Sequence, residues 1–233
     1  MTAGKQSRYL AIAGRTLLGI SLLIGLFLFY QLFVTDFINS RSQAAAADEL
    51  VVVLAQRRDD LTSPSTTTPA STTTTAQVVE LPELVVEPEV SVGEPFARLI
   101  IDRIALDAVV FEGVDRTTLK SGPGHMPGTP LPGQPGNAVI SGHRTTYGRP
   151  FYELDLLVVG DEIAVETALG ISTYSVREIL IVAPTDVWVA DNMDGAWLTL
   201  TTCHPRFSAA QRLIVQAELI DGPNIDYVEA VAA

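Results

Sequence analysis

Three side chains of this sequence could together attack a peptide carbonyl: a cysteine, a histidine and an arginine, each at the edge of an apolar run. Cys203 closes the segment TLTTC, His143 lies in ISGHRTTYGRPF just after Ala138–Ile140, and Arg212 opens QRLIVQAEL nine positions beyond the cysteine. A free thiol ionises near pH ~8.5, so a useful thiol nucleophile needs a neighbouring cation or base. An imidazole can pair with the thiolate or protonate a departing amine. A guanidinium keeps its proton throughout and can stabilise the oxyanion that forms on the attacked carbonyl. Rivals exist for two of these roles. His204 adjoins the cysteine and His125 sits in a Gly/Pro-rich loop, where either can line a site as a polar neighbour. Arg206 falls in the turn HPRFS, where a solvated or salt-bridged arginine is the ordinary outcome, whereas a strand holds Arg212 more rigidly. Thr201 and Thr202 can offer hydroxyl or backbone hydrogen bonds to a peptide, although threonines suit a strand without any such role. Tyr147 can contact a peptide or simply pack its ring within its loop.

The elements that would carry these residues are short. Runs of β-branched and apolar residues broken by Gly and Pro predict strands over Ala97–Ile101, Ala108–Phe111, Asn137–Ser141, Glu162–Glu166, Thr173–Val182, Trp197–Thr202 and Leu213–Leu219. The piece GPGHMPGTPLPGQPG (122–136) holds too many Gly and Pro residues for a regular element and reads as a long shaped loop. PFYELDLL (150–157) reads as a short helix with Pro150 in its first turn. The pattern is all-β, a barrel or a sandwich spanning 94–221, with a C-terminal tail at 222–233 and no internal repeat. A nucleophile and a base at the ends of separate strands can then meet at one barrel rim.

TLTTC, an arginine opening the next strand and an upstream SGHR together resemble the sortase family, over essentially all of 96–220. The order His, Cys, Arg agrees with that family. SGHRTTYG and TLTTCHPRFS are similar to the class E sortases of high-GC Gram-positive bacteria, which carry a tyrosine at the position of Tyr147 and favour LAXTG over LPXTG signals. The resemblance implies an eight-stranded β-barrel with short helices. It implies Cys203 as nucleophile, His143 as general acid/base and Arg212 as oxyanion or substrate stabiliser, with Tyr147, Thr201, Thr202 and His204 near the substrate. It also implies cleavage of a sorting signal between Thr and Gly and transfer to a peptidoglycan-precursor amine such as that of lipid II, without a cofactor. Two other readings stay open: a pilin-polymerising sortase, which often has a second membrane segment that YVEAVAA does not supply, and a stalked surface-binding barrel without enzymatic activity. Papain-like enzymes place the cysteine before the histidine. L,D-transpeptidases place the two much closer than the 60 positions between His143 and Cys203.

Location follows from the first third of the chain. TLLGISLLIGLFLFYQLFV (16–34) carries no charge over 19 residues, about the length a helix needs to cross hydrocarbon. Lys5, Arg8 and Arg15 precede it, which predicts a cytoplasmic N-terminus (1–15), a transmembrane helix (16–34) and everything later outside. The run is longer than a signal-peptide core and leads into Phe37, so an uncleaved anchor is preferred, although Ala44–Ala47 resembles a cleavage site. Residues 35–61 are rich in helix formers and read as an outward extension of that helix. The Ser/Thr/Pro-rich piece TSPSTTTPASTTTT opens a disordered stalk and linker at 62–93, expected to lift the domain from the lipid. Residues 1–58 carry a local +3 of the total −12, leaving −15 for the rest, so nucleic acid is an unsuitable partner. No Cys or His pairs stand at metal-ligand spacing, and Asp186, Asp191 and Asp194 read as a solvated turn rather than a calcium site.

Overall fold

In the computed structural model, which describes residues 3–30, 35–62 and 82–232, the apolar alternation of the domain closes into a barrel. Its strands are β1 (Pro95–Ile101), β2 (Leu106–Glu112), β3 (Gly124–His125), β4 (Gly136–Ser141), β5 (Glu162–Glu166), β6 (Ile171–Val182), β7 (Ala196–His204) and β8 (Gln211–Asp221). They neighbour one another in the order β1-β2-β3-β4-β7-β8-β6-β5. The pairs β2/β3 and β4/β7 are parallel; the others are antiparallel.

Period-two alternation separates core from surface. Ala138 and Ile140 of β4, Leu198 and Leu200 of β7, and Leu213, Val215 and Ala217 of β8 enter one buried cluster with Phe96, Leu99, Phe151 and Tyr174. The seven predicted strands all form, mostly longer than expected. The eighth, β3, lies inside the expected Gly/Pro loop, because a two-residue strand containing glycine leaves no periodicity to read. Between Phe151 and Leu157 the expected helix shrinks to a 3-10 turn at Leu154–Leu156, with Phe151 and Leu154 fully buried. Those two anchors pin the segment to the core and leave one turn between them.

Four α-helices complete the chain: α1 (Ala3–Phe29), α2 (Thr35–Thr62), α3 (Arg116–Ser121) and α4 (Ile225–Ala232). Helix α4 lies in the segment expected to be a tail, and Ile225 and Val228 pack against the barrel core. Leu17, Leu22, Leu23 and Phe27 of α1 are exposed. Of the expected span, residues 31–34 lie outside the described residues; among the described ones no helix is long and apolar enough to cross a membrane.

Helix α2 lies along the barrel wall. Ala46, Leu50 and Leu54, one stripe at four-residue spacing, bury against Val109, Phe111 and Ala168. Polar contacts fix both ends. Near its start, Asn39 Nδ2 donates to Lys120 O at 2.8 Å and Gln43 Nε2 to Ser121 O at 2.7 Å, both at the end of α3. Near its finish, Arg57 pairs with Glu94 at 3.0 Å, and Arg58 pairs with Glu166 at 3.2 Å and donates to Ala168 O.

This docking changes the meaning of the Ser/Thr-rich piece, of which residues 63–81 lie outside the described residues. The residues that follow it are packed at the same end of the barrel as the finish of α2. Glu87 is buried and accepts from Ala168 N at 3.2 Å, and Arg57 Nη1 donates to Pro88 O at 3.3 Å. The helix before the piece and the residues after it are thus both seated on the barrel, while the piece expected as a stalk lies outside the described residues.

Candidate active site

Strand register places two of the three candidate residues side by side and the third in the loop that leaves the neighbouring strand. Ser141 of β4 is level with Thr201 of β7, and Gly142 N donates to Thr201 O at 3.1 Å. His143 follows two residues after the end of β4, and Cys203 lies two residues beyond Thr201 on β7. Across the β7/β8 ladder the Cα partner of Cys203 is Arg212. Because Leu198, Leu200 and Leu213 face the core, the opposite phase of each strand carries Cys203 and Arg212 on the outer wall, with Ser141 and Thr201 behind them. The expected rim site is thus a site on the outer face of three adjacent strands near one barrel end. Cys203 is a free, half-buried thiol.

His143 is framed by its own loop and by α3. Its ring lies 5.1 Å from that of Tyr147, and Lys120 Nζ stands 5.6 Å over the Tyr147 ring. Val114, Arg116, Leu119 and Lys120 join the two rings around a cleft of about 460 Å³. Burial pushes the His143 pKa below the ordinary imidazole range, which favours the neutral base. Gly142 permits this placement, since a Cβ there would fall 2.6 Å from the Phe151 ring.

A buried arginine ties the histidine loop to the cysteine strand. Arg144 Nη1 donates to Cys203 O at 3.3 Å, its Nε donates to Tyr152 O at 3.0 Å, and it pairs with Asp155 at 2.9 Å. Arg206 reaches the same carboxylate at 2.7 Å and lies 4.4 Å over the Tyr152 ring. Asp155 thereby couples the loop after β4 to the turn after β7. Arg212 Nη1 instead donates to the carbonyls of Ala209 and Gln211 at 3.1 and 3.0 Å. Sequence reasoning passed over Arg144, Tyr152 and Asp155. The arginine of SGHR was the available signal; nothing local marks the other two as its partners.

The remaining residues separate by strand phase. Thr201 shares the outer face with Cys203. Thr202 is buried in the core-facing phase, where its Oγ1 donates to Gly142 O at 2.7 Å and supports the end of β4. His204 follows the phase of Thr202 and is half-buried. His125 is fully committed elsewhere: Nδ1 lies 2.6 Å from Glu112 Oε2 and Nε2 lies 2.9 Å from Pro130 O. Further along the outer wall, Asn137 Nδ2 donates to Val189 O and Asp191 O at 3.1 and 3.0 Å. Those bonds hold the β6/β7 loop against the outer face of β4. Among the described residues, no group of three or more His, Cys, Asp or Glu side chains could hold a metal ion.

A family model described as a sortase domain matches residues 99–220, just over half of the chain. Sortase SrtE1 of Streptomyces coelicolor is 32% identical over 145 residues, covering 55% of this chain and 41% of its own. Sortase D of Bacillus subtilis is 32% identical over 114 residues, covering 48% and 56%. The matches thus span only about half the length of these curated relatives. Among solved structures, sortase E from Streptomyces avermitilis superposes with a TM-score of 0.53 at 37% identity, over 56% of this chain and 91% of that one. A sortase D5 transpeptidase of Clostridium perfringens gives 0.54 at 35% identity, over 57% and 83%.

Proposed function

The chain belongs to the sortase family, and from that premise we propose that it is a class E-like, membrane-anchored cysteine transpeptidase acting outside the cytoplasmic membrane. The observation that carries the reading is the cross-strand pairing of Cys203 with Arg212 on β7 and β8, with His143 in the loop that leaves the adjacent strand β4.

Cys203 Sγ attacks the carbonyl carbon between Thr and Gly of an LAXTG- or LPXTG-type signal bound along the outer face of β7, and its proton passes to His143. Arg212 stabilises the oxyanion. The tetrahedral species collapses with breakage of the C–N bond, and His143 returns the proton to the leaving glycine amine. The thioacyl intermediate is then attacked by an amine of a peptidoglycan precursor such as lipid II. His143 takes the amine proton and gives it back to the departing Cys203 sulfur, which restores the thiol.

A membrane setting is supported by the uncharged run at 16–34 and by the exposed apolar side chains of α1. Helix α2 begins one residue after that run, and its first turns lie against α3 beside the His143 cleft. The catalytic end of the barrel then faces the lipid, where a lipid-linked amine is available. The direct test is cleavage of an LAXTG peptide with and without an amine acceptor. Cys203→Ala should abolish both cleavage and transfer; unchanged turnover in that variant ends the reading.

A further inference from the structure

The loop that frames His143 contains three consecutive residues in the left-handed backbone region: Tyr147 (φ 51°), Gly148 (φ 75°) and Arg149 (φ 52°). Two of the three are not glycine, and that backbone region is unfavourable for such residues, so the turn persists only if its surroundings hold it. What touches its centre comes from outside the catalytic domain. A Cβ built on Gly148 would fall 1.9 Å from Asn39 Oδ1 and 2.6 Å from Asn39 Cγ, so the side chain of this α2 residue lies directly on the turn. The same side chain donates from Nδ2 to Lys120 O at 2.8 Å and to Ser121 O at 3.3 Å. It is buried.

We propose that Asn39 is a positioning residue for His143: it clamps the 147–149 turn to the end of α3, and so holds Tyr147 against the imidazole. The proposal rests on the transpeptidase reading for its kinetic consequence, but not for its geometry. One carboxamide spans both walls of the cleft, since Lys120 of α3 and Tyr147 of the turn each lie one residue from, or at, an atom that Asn39 touches. Loss of the clamp lets the turn relax toward ordinary backbone angles, Tyr147 swings off His143, and water reaches the ring. The charged and titratable groups that line the cleft with His143 are Arg116 and Lys120 from α3 and Tyr147 from its own loop. Burial alone holds the imidazole pKa down, so resolvation raises it. The helix that leads away from the expected membrane span therefore also completes the site.

The test uses the full chain in detergent micelles and follows the His143 ring protons by NMR through a pH titration, alongside peptide-cleavage kinetics. Asn39→Ala should raise the His143 midpoint by about half a pH unit or more. It should also lower kcat/KM by about tenfold to a hundredfold, mostly through kcat. Gln43→Ala is the control. Gln43 belongs to the same helix and bonds Ser121 O and Val109, but does not touch the turn. It should lower the thermal midpoint while leaving the His143 titration unmoved. If Asn39→Ala folds and leaves the titration at the parent value, or if Gln43→Ala moves it equally, the clamp is refuted. Should Asn39→Ala not fold, Asn39→Leu, which roughly keeps the volume and removes the two donated bonds without adding a charge, is read the same way. The NMR measurement needs no turnover, so an inactive parent chain would refute the transpeptidase reading and leave this one standing or falling separately.

Discussion

Cys203 and Arg212 are direct cross-strand partners on the outer wall of the β7/β8 ladder, and the guanidinium is steadied by its own turn through the carbonyls of Ala209 and Gln211. Side chains on such paired positions are within reach of one another, so a carbonyl held by the sulfur meets the cation without rearrangement of the backbone. An oxyanion donor acts mainly in the transition state, and removing one costs about 10²–10³ in kcat. Arg212→Ala should therefore lower kcat for peptide cleavage by that order and change KM little. Arg212→Lys should recover only part of the loss, because a point charge does not reproduce the fork of donors. A loss confined to KM would move Arg212 to ground-state peptide binding.

Arg144 offers a contrasting case, since it touches the backbone of the nucleophile rather than its sulfur. Arg144→Met keeps the stem but removes the bonds to Cys203 O and Tyr152 O and the ion pair with Asp155. Hydrogen bonds to charged groups contribute about 1.5–3 kcal/mol each, and Asp155 keeps Arg206, so a net loss near the lower end is expected. Thermal melting should show a clear drop together with loss of activity. An undiminished melting temperature would mean that the Arg144–Asp155–Arg206 tie is not holding the loop to the strand.

The pH dependence of cleavage follows from the buried side of His143. Its pKa lies below the ordinary value because burial disfavours the cation, so the neutral base persists to lower pH than in an exposed histidine. If neutral His143 accepts the thiol proton, kcat/KM should rise on an acid limb whose midpoint is below pH ~6.5, the ordinary imidazole value. Protonation of the buried ring also disfavours the native state, so stability should fall as pH drops through that midpoint. An acid limb above pH ~6.5 would contradict the neutral-base assignment.

Glu87 bears on stability alone. Burial raises its pKa above the usual carboxylate range, with bonds to Thr167, Ala168 and Leu169 and the charge of Arg57 opposing that rise. A carboxyl with a raised native pKa binds more protons folded than unfolded, so its contribution to stability declines as pH rises from the unfolded pKa through the folded one. Glu87→Gln should flatten that decline and should not lower the melting temperature at neutral pH. A melting temperature that falls at pH 7 but not at pH 4 would show that the carboxylate is stabilised by its neighbours instead.

How much of this was readable in advance depended on range. The pairing of Cys203 with Arg212 was approachable because TLTTC and the arginine opening the last strand sit at apolar strand ends, and a barrel leaves few ways to arrange strand ends. Three things were not. The two-residue strand β3 has no period. Asp155 carries no mark of its partners, since Arg144 and Arg206 reach it from separate loops. Asn39 is one polar residue in a helix-forming segment, and its importance arises only from a contact 109 positions away, against Gly148. The Ser/Thr piece lies outside the described residues, and what a tether does depends on what flanks it as much as on its composition.

That last point can be tested directly. If residues 62–93 were a stalk, their length would set how far the catalytic cleft stands from the lipid. Helix α2 precedes the piece and is docked through Leu50, Leu54, Arg57 and Arg58, so length added after it should leave the position of the cleft relative to the start of α2 unchanged. Doubling a flexible loop costs about 0.6 kcal/mol in closure entropy. Insertion of a Ser/Thr-rich segment between Thr68 and Pro69, doubling the piece, should barely shift the melting temperature and should leave transfer to a lipid-linked amine in vesicles unchanged. Insertion of the same segment between Val34 and Thr35, which lengthens the tether before the docked helix, should slow transfer to the lipid-linked acceptor while sparing cleavage of a soluble peptide. If the first insertion slows transfer as much as the second, α2 is not seated on the barrel in the working enzyme, and the Ser/Thr piece is the spacer after all.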